Sequence, residues 1–167
     1  MLPRSLALLF SVTGLSALLG VLPDRRIVDT VIAGNAESEQ AHGYAGHDDM
    51  AGIASDSTYR EARGWMRYAL TTFDDTEVTL ACTFLASPTT QFAVVVEDSV
   101  IARSTLRAPG IVEVRVPFAV TKGRTNIAVT LRGRDGATPR LHSIRVLQDH
   151  HELYSPSAVH HLLGVAR

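Results

Sequence analysis

The stretch Tyr59-Arg60-Glu61-Ala62-Arg63-Gly64-Trp65-Met66-Arg67-Tyr68-Ala69-Leu70 decides the reading of this chain. It holds the only Trp, two of the four Tyr and three Arg. Its second half alternates along a strand, so Trp65 and Arg67 share one face while Met66 and Tyr68 share the other. From Gly64 onward, strand-like segments recur at short, regular intervals: 65–70, 77–85, 91–97, 100–106, 111–116, 125–132 and 141–147. In Ile111-Val112-Glu113-Val114-Arg115-Val116 the valines face one way and the charges the other, the signature of a half-buried strand. Ile127, Val129 and Leu131 repeat the pattern, as do Ile144 and Val146. The breaks carry turn chemistry: Glu97-Asp98-Ser99, Ala108-Pro109-Gly110, Lys122-Gly123 and Arg134-Asp135-Gly136.

Upstream, residues 27–33 read as a first strand, which brings the total to about eight. Residues 34–57 are rich in Gly, Asp, Ser and Ala, keep no period, and read as one long loop. Eight strands with no room for long helices between them predict an all-β fold: an antiparallel β-sandwich or jelly roll. The sandwich occupies residues 24–149. Residues 150–167 break the alternation and read as a tail.

The chain has 167 residues, 46% of them hydrophobic, which suits one domain with an ordinary core. Its net charge is −1 and its arginines are scattered, which excludes a nucleic-acid footprint. Fifteen of the sixteen basic residues are Arg, a bias that GC-rich coding produces without functional cause. Cys82 is the only cysteine and lies in an apolar run, so a buried free thiol is expected and an intrachain disulfide is excluded. Residues 1–22 begin with a positive Met1-Leu2-Pro3-Arg4 and continue apolar and uncharged. They read as a secretory signal or a membrane anchor, or mark a piece cut from a longer protein. No A-x-A site follows, and Arg25 and Arg26 lie just beyond. The expected location is secreted or periplasmic, with membrane contact only through this segment.

Asp24-Arg25-Arg26-Ile27-Val28-Asp29, Ser38-Glu39 with His42, and Tyr59-Arg60-Glu61-Ala62 with Gly64-Trp65-Met66-Arg67-Tyr68 carry a family likeness. Together they resemble the C-terminal β-sandwich of bacterial β-L-arabinofuranosidase-type glycoside hydrolases, in which a W/Y-R-x-A element precedes G-G-W-F-x-Y. Residues 94–102 resemble that domain's V-D-G-x-x-I-A hairpin, and 141–147 its closing strand. Here Arg63-Gly64 replaces the two glycines, Met66 the Phe, and Asp98-Ser99 the Asp-Gly. The helical barrel that carries catalysis in those enzymes is missing, and one Cys cannot build its metal site. The resemblance therefore implies a non-catalytic accessory module of galactose-binding-like fold that binds carbohydrate, or alternatively one that braces a separate glycoside hydrolase catalytic chain or is the remnant of a truncated glycoside hydrolase.

Individual residues give weaker signals. Tyr44, Tyr59 and Trp65 are candidates for stacking on sugar rings. Strand alternation favours a core role for Trp65, whereas Tyr59 and Tyr44, at or in the long loop, are the better ligand candidates. Arg60 and His42 are candidate hydrogen-bonding partners. Of Arg60 and Glu61, which point to opposite faces, one is expected to be buried in an ion pair. Glu37, Glu39 and Asp48 belong to the densest polar cluster and offer oxygens for a structural Ca²⁺, but no D-x-D-x-D-G loop is present. A solvated polar loop is the stronger reading, and no cofactor is expected. His42 with His47 lacks zinc spacing, and the adjacent pairs His150-His151 and His160-His161 read as surface. No G-x-S-x-G, P-loop or G-x-G-x-x-G element occurs.

Overall fold

The computed structural model describes residues 25–73, 76–134 and 136–149. The N-terminal apolar segment, Asp74-Asp75, Asp135 and the histidine-rich tail lie outside the described residues. Nine strands and two short helices follow one another: β1 (Arg25–Ile32), α1 (Ala36–Ala41), β2 (Ala45–Ala54), β3 (Ser57–Thr71), β4 (Val78–Phe84), β5 (Thr90–Val96), β6 (Ser99–Leu106), β7 (Gly110–Val116), α2 (Phe118–Thr121), β8 (Asn126–Gly133) and β9 (Leu141–Asp149).

Every strand pairing is antiparallel. One layer runs β1-β9-β4-β7 and the other β2-β3-β8-β5-β6. The long strand β3 belongs to both: Arg60 bridges to Leu141 of β9, while Trp65 to Thr71 pair with Arg132 to Asn126 of β8. The first and last strands are neighbours, with Arg25 opposite Asp149.

The alternation seen in the sequence is the cause of the sandwich. Leu80, Cys82, Phe84, Val114, Val116, Ile144 and Val146 face inward from one layer, and Met66, Tyr68, Leu70, Phe92, Val94, Ile127, Val129 and Leu131 from the other. Phe84 and Phe92 meet edge to face, with ring centroids 5.0 Å apart. Cys82 is fully enclosed, and burial pushes its thiol pKa up to about 12. All eight expected strands are present.

The stretch 34–57 differs from expectation. It contains α1 and β2. Asn35 caps α1, its side chain accepting from the Ser38 N–H at 2.9 Å. β2 pairs with β3 alone, so much of its length is exposed on both sides and its sequence has no reason to alternate. A register shift between His47 and Asp49 disrupts it further, with Asp48 in the left-handed region at φ 50°.

Trp65 also differs. It is half-buried and points outward with Arg67, because the inward positions of β3 belong to Met66, Tyr68 and Leu70. Replacing Phe92 by Ala should lower unfolding free energy by about 3–5 kcal/mol. Trp65→Ala should cost clearly less. Urea denaturation of both variants checks this, and equal losses would return Trp65 to the core.

Candidate functional site

Two polar constellations surround the Tyr59–Tyr68 stretch, one on each face of β3. The inner one is built on Arg60. Its Nε donates to Glu39 Oε1 at 3.0 Å, a second nitrogen binds Glu39 Oε2, and Nη1 reaches Asp49 at 3.2 Å. Glu39, only 5% exposed on α1, also accepts from the Gly34 N–H at 2.8 Å and from the Tyr68 hydroxyl at 3.3 Å. The Arg60 guanidinium lies 4.5 Å from the Tyr44 ring, which in turn packs against Tyr68 at 5.1 Å. Tyr44 donates its hydroxyl to Asp49. The hydrogen bonds to Glu39 raise the Arg60 pKa above its usual value. Burial, followed by neighbouring carboxylates, raises both tyrosines.

This network ties α1, β2 and β3 together and leaves little for a ligand. One ion-paired member was expected of the Arg60–Glu61 couple; both are paired and part-buried, and the donors of Arg60, the more enclosed of the two, are spent on Glu39 and Asp49. Tyr44 is half-buried between Arg60 and Tyr68. Tyr59 is 6% exposed. A Cβ on Gly52 would stand 2.5 Å from its hydroxyl, and Arg140 lies 4.9 Å over its ring. The expected stacking role of Tyr59 is therefore corrected: its ring is buried, and β2, invisible as a strand in the sequence, packs against its hydroxyl.

His42 is a structural link as well. Its Nε2 lies 3.0 Å from Asp29 Oδ1 and its Nδ1 2.6 Å from the Ser38 carbonyl. Asp29 also accepts the Thr71 N–H at 2.7 Å, joining β1 to the end of β3. Glu39 of the suggested calcium set is committed to Arg60. No cluster of three His, Cys, Asp or Glu side chains suited to a metal occurs among the described residues.

The outer constellation is open. A cleft of about 640 Å³ lies between the β2–β3 bulge, the β4–β5 connection and the β8–β9 connection. One wall is Glu61, which accepts from Arg140 Nε at 3.0 Å. Thr138 braces that side: its N–H donates to the Ala62 carbonyl at 2.8 Å and its hydroxyl accepts the Ala62 N–H at 2.9 Å. Asp48, Asp49, exposed Met50 and exposed Arg63 continue the lining along the paired β2 and β3, where Met50 stands directly opposite Glu61. Ser87, Pro88, Thr89, Thr90 and Gln91 complete the rim. The bulge sets this geometry, with Gly64 at φ 140° opposite the left-handed Asp48.

Of the residues singled out in the sequence, Asp48 and its cluster neighbour Asp49 line this cleft, as does Glu61, while Tyr44, Tyr59, Arg60, Trp65 and His42 do not. Glu61 was legible as the partner of Arg60 on the opposite face. Arg63, Gln91 and Arg140 carry no sequence signal, because their convergence depends on which loops share one end of the sandwich.

Residues 23–147 match a family of unknown function (DUF6805). The chain belongs to this family. No curated protein sequence matches it. Among solved structures, a family 35 carbohydrate binding module from an environmental isolate is similar at TM-score 0.54 and 17% identity, over 70% of this chain and 90% of that one. A family 35 module from Clostridium thermocellum gives TM-score 0.50 and 9% identity, over 70% and 96%. A GH115 4-O-methyl-α-glucuronidase with specificity for decorated arabinogalactans gives TM-score 0.51 and 14% identity, over 74% of this chain and 18% of the enzyme. At these identities the likeness establishes the fold, an antiparallel β-sandwich of the kind the strand pattern predicts.

Two outcomes test the inner network. Arg60→Met should destabilise by about 3–5 kcal/mol, since it leaves Glu39 buried without its cation. A loss below 1 kcal/mol in denaturant melts would remove Arg60 from this role.

The second outcome concerns pH. Burial alone would lower the His42 pKa, but the bonds to Asp29 and Ser38 carry it above the ordinary 6.5. Its stabilisation is fully present below about pH 6.5 and is lost as pH rises through the folded value. Asp29 runs the other way. Burial would raise it, yet the bonds from His42, Thr71 and Thr30 hold it below 3.8, so its contribution is lost only in acid. The melting temperature should fall from pH 6 to pH 8, and His42→Gln should flatten that slope; an unchanged slope would assign it elsewhere.

Proposed function

We propose that this domain is a non-catalytic carbohydrate-binding module that holds a sugar in the cleft beside Glu61 and Arg140. The observation that carries the reading is the mixture of acceptors and donors converging there: Glu61 and Asp48 against Arg63, Arg140 and Gln91. A sugar hydroxyl both donates and accepts, so it is best held between a carboxylate and a guanidinium. Met50 and Pro88 add apolar surface for the C–H faces of the ring. Glu61 is held in an ion pair with Arg140, which fixes its oxygens as acceptors and supports binding over chemistry, whereas both oxygens of Asp49 are taken by Arg60 and Tyr44. The shared fold with family 35 carbohydrate binding modules supports the same reading.

The finer assignment follows the sequence. The order of motifs in 24–68 supports descent from the accessory sandwich of a β-L-arabinofuranosidase-type glycoside hydrolase, with a separate catalytic domain as partner. The apolar segment 5–22 supports export, secreted or periplasmic. A brace without sugar binding is the alternative. It would need a contiguous apolar face. Among the described residues the exposed large apolar side chains are Ile27 on β1, Met50 and Ile53 on β2, Phe73 just after β3, Val100 on β6 and Ile111 on β7, and are spread over the sandwich.

Affinity electrophoresis in gels containing arabinan, arabinoxylan or arabinogalactan tests the proposal. The wild type should be retarded by at least one of them. Asp48→Asn with Arg63→Ala, both exposed positions, should weaken retention about tenfold or more, the scale of losing hydrogen bonds to charged groups. No retention on any neutral polysaccharide, or retention indifferent to both substitutions, would sink it.

A further inference from the structure

The outer face of the five-stranded layer carries a feature the cleft does not use. His47, Trp65, Arg132, Ala93 and Arg103 stand opposite one another across β2, β3, β8, β5 and β6. Directly opposed residues share a face, and their chain neighbours Met66, Leu131 and Val94 point into the core, so this row points outward. The next row along places Arg67, Thr130 and Val95 side by side.

A groove of about 700 Å³ runs over this face, with Ala93, Val95 and Val100 as apolar floor and Arg103, Arg132 and Arg134 around it. No carboxylate lines it among the described residues. Along β5 the following acidic residue, Glu97, is already paired with Arg124 and bound to the Ala128 N–H. Arg134 donates to the Gln91 side chain at 2.9 Å. Arg67, Arg103 and Arg132 form no ion pair among the described residues, whereas Arg25, Arg60, Arg115, Arg124 and Arg140 all do. Arg103, Arg132 and Arg134 thus place three guanidinium groups that form no ion pair among the described residues around one groove, while Arg26, Arg63, Arg107 and Arg145, also outside the ion pairs, lie elsewhere.

We propose that this groove is a second binding site, for a carboxylate-bearing polysaccharide. Guanidinium groups bind carboxylates through two parallel hydrogen bonds. The apolar floor suits the C–H surface of sugar rings, with the half-buried indole of Trp65 beside Arg132 in the row. Arg132 and Arg103 lie two strands apart, about 10 Å at ordinary strand spacing, so they address carboxylates at separate points of a repeating chain. Gln91 borders both groove and cleft, which lets one chain run from one to the other. The claim does not depend on the cleft holding a neutral sugar.

Polygalacturonate in affinity gels is the probe, with fully methyl-esterified pectin and double-stranded DNA as the comparison arms. The full chain should be retarded by polygalacturonate at low salt, much less by the ester, and the retardation should collapse at about 0.5 M NaCl. Arg103→Gln with Arg132→Gln, both exposed, should weaken retention about tenfold or more while melting like the wild type. Absence of retardation by polygalacturonate overturns the proposal, whatever neutral polysaccharides do. Equal retardation by the methyl ester overturns it by removing the carboxylate. Equal retardation by DNA overturns it in favour of a general polyanion surface. Full retention by the double variant overturns it by removing the arginines.

Discussion

The ion pair between Arg60 and Glu39 is the constraint on which the rest of this domain depends. Both groups are largely withdrawn from water, so each has to satisfy the other, and the surrounding elements are arranged to let them. Glu39 sits on a helix of six residues, far too short to stand alone. It holds because the carboxylate is anchored to Arg60, to Tyr68 and to the backbone at Gly34. Arg60 in turn fixes Asp49, and so the edge strand β2. That arrangement frees the other face of β3, where Glu61 and Arg140 look out into the cleft. A buried pair on one side thus orders the strand that presents an open pair on the other.

The strand skeleton was readable because alternation is a local property. Residues 111–116 and 127–131 declare their inner and outer faces without help from the rest of the chain. What escaped detection was long-range. β2 lies at the edge of a sheet, and its sequence is nearly free of the pattern that burial imposes. α1 did carry a local signal, Asn35 three residues before Ser38, but six helical residues leave no period to find. Tyr59 looked accessible because it borders an apparent loop, and it is buried because that loop is a strand.

Trp65 shows the same limit from the other side. Alternation correctly divided Trp65 and Arg67 from Met66 and Tyr68, yet the core role it favours for Trp65 falls to the other pair. Size favours the indole for the core. The choice went to Met66 and Tyr68 because the Tyr68 hydroxyl finds Glu39, a partner that buried tyrosine needs and that only the folded chain supplies. The cleft residues escaped for a related reason. Arg63, Gln91 and Arg140 come from three segments whose meeting is decided by the strand order.

The pairing of β1 with β9 sets how such a unit can be joined to others. Arg25 and Asp149 stand side by side, so the polypeptide enters and leaves the sandwich at one point of its surface. A domain built this way can be inserted into a host loop almost without spreading it, or hung from a single tether at either end with the same orientation. The same pairing makes the closing step of folding a non-local one, because the final strand has to find the first across the whole length of the domain. Joining the two ends by a short peptide and opening the chain elsewhere would convert that distant contact into a local hairpin.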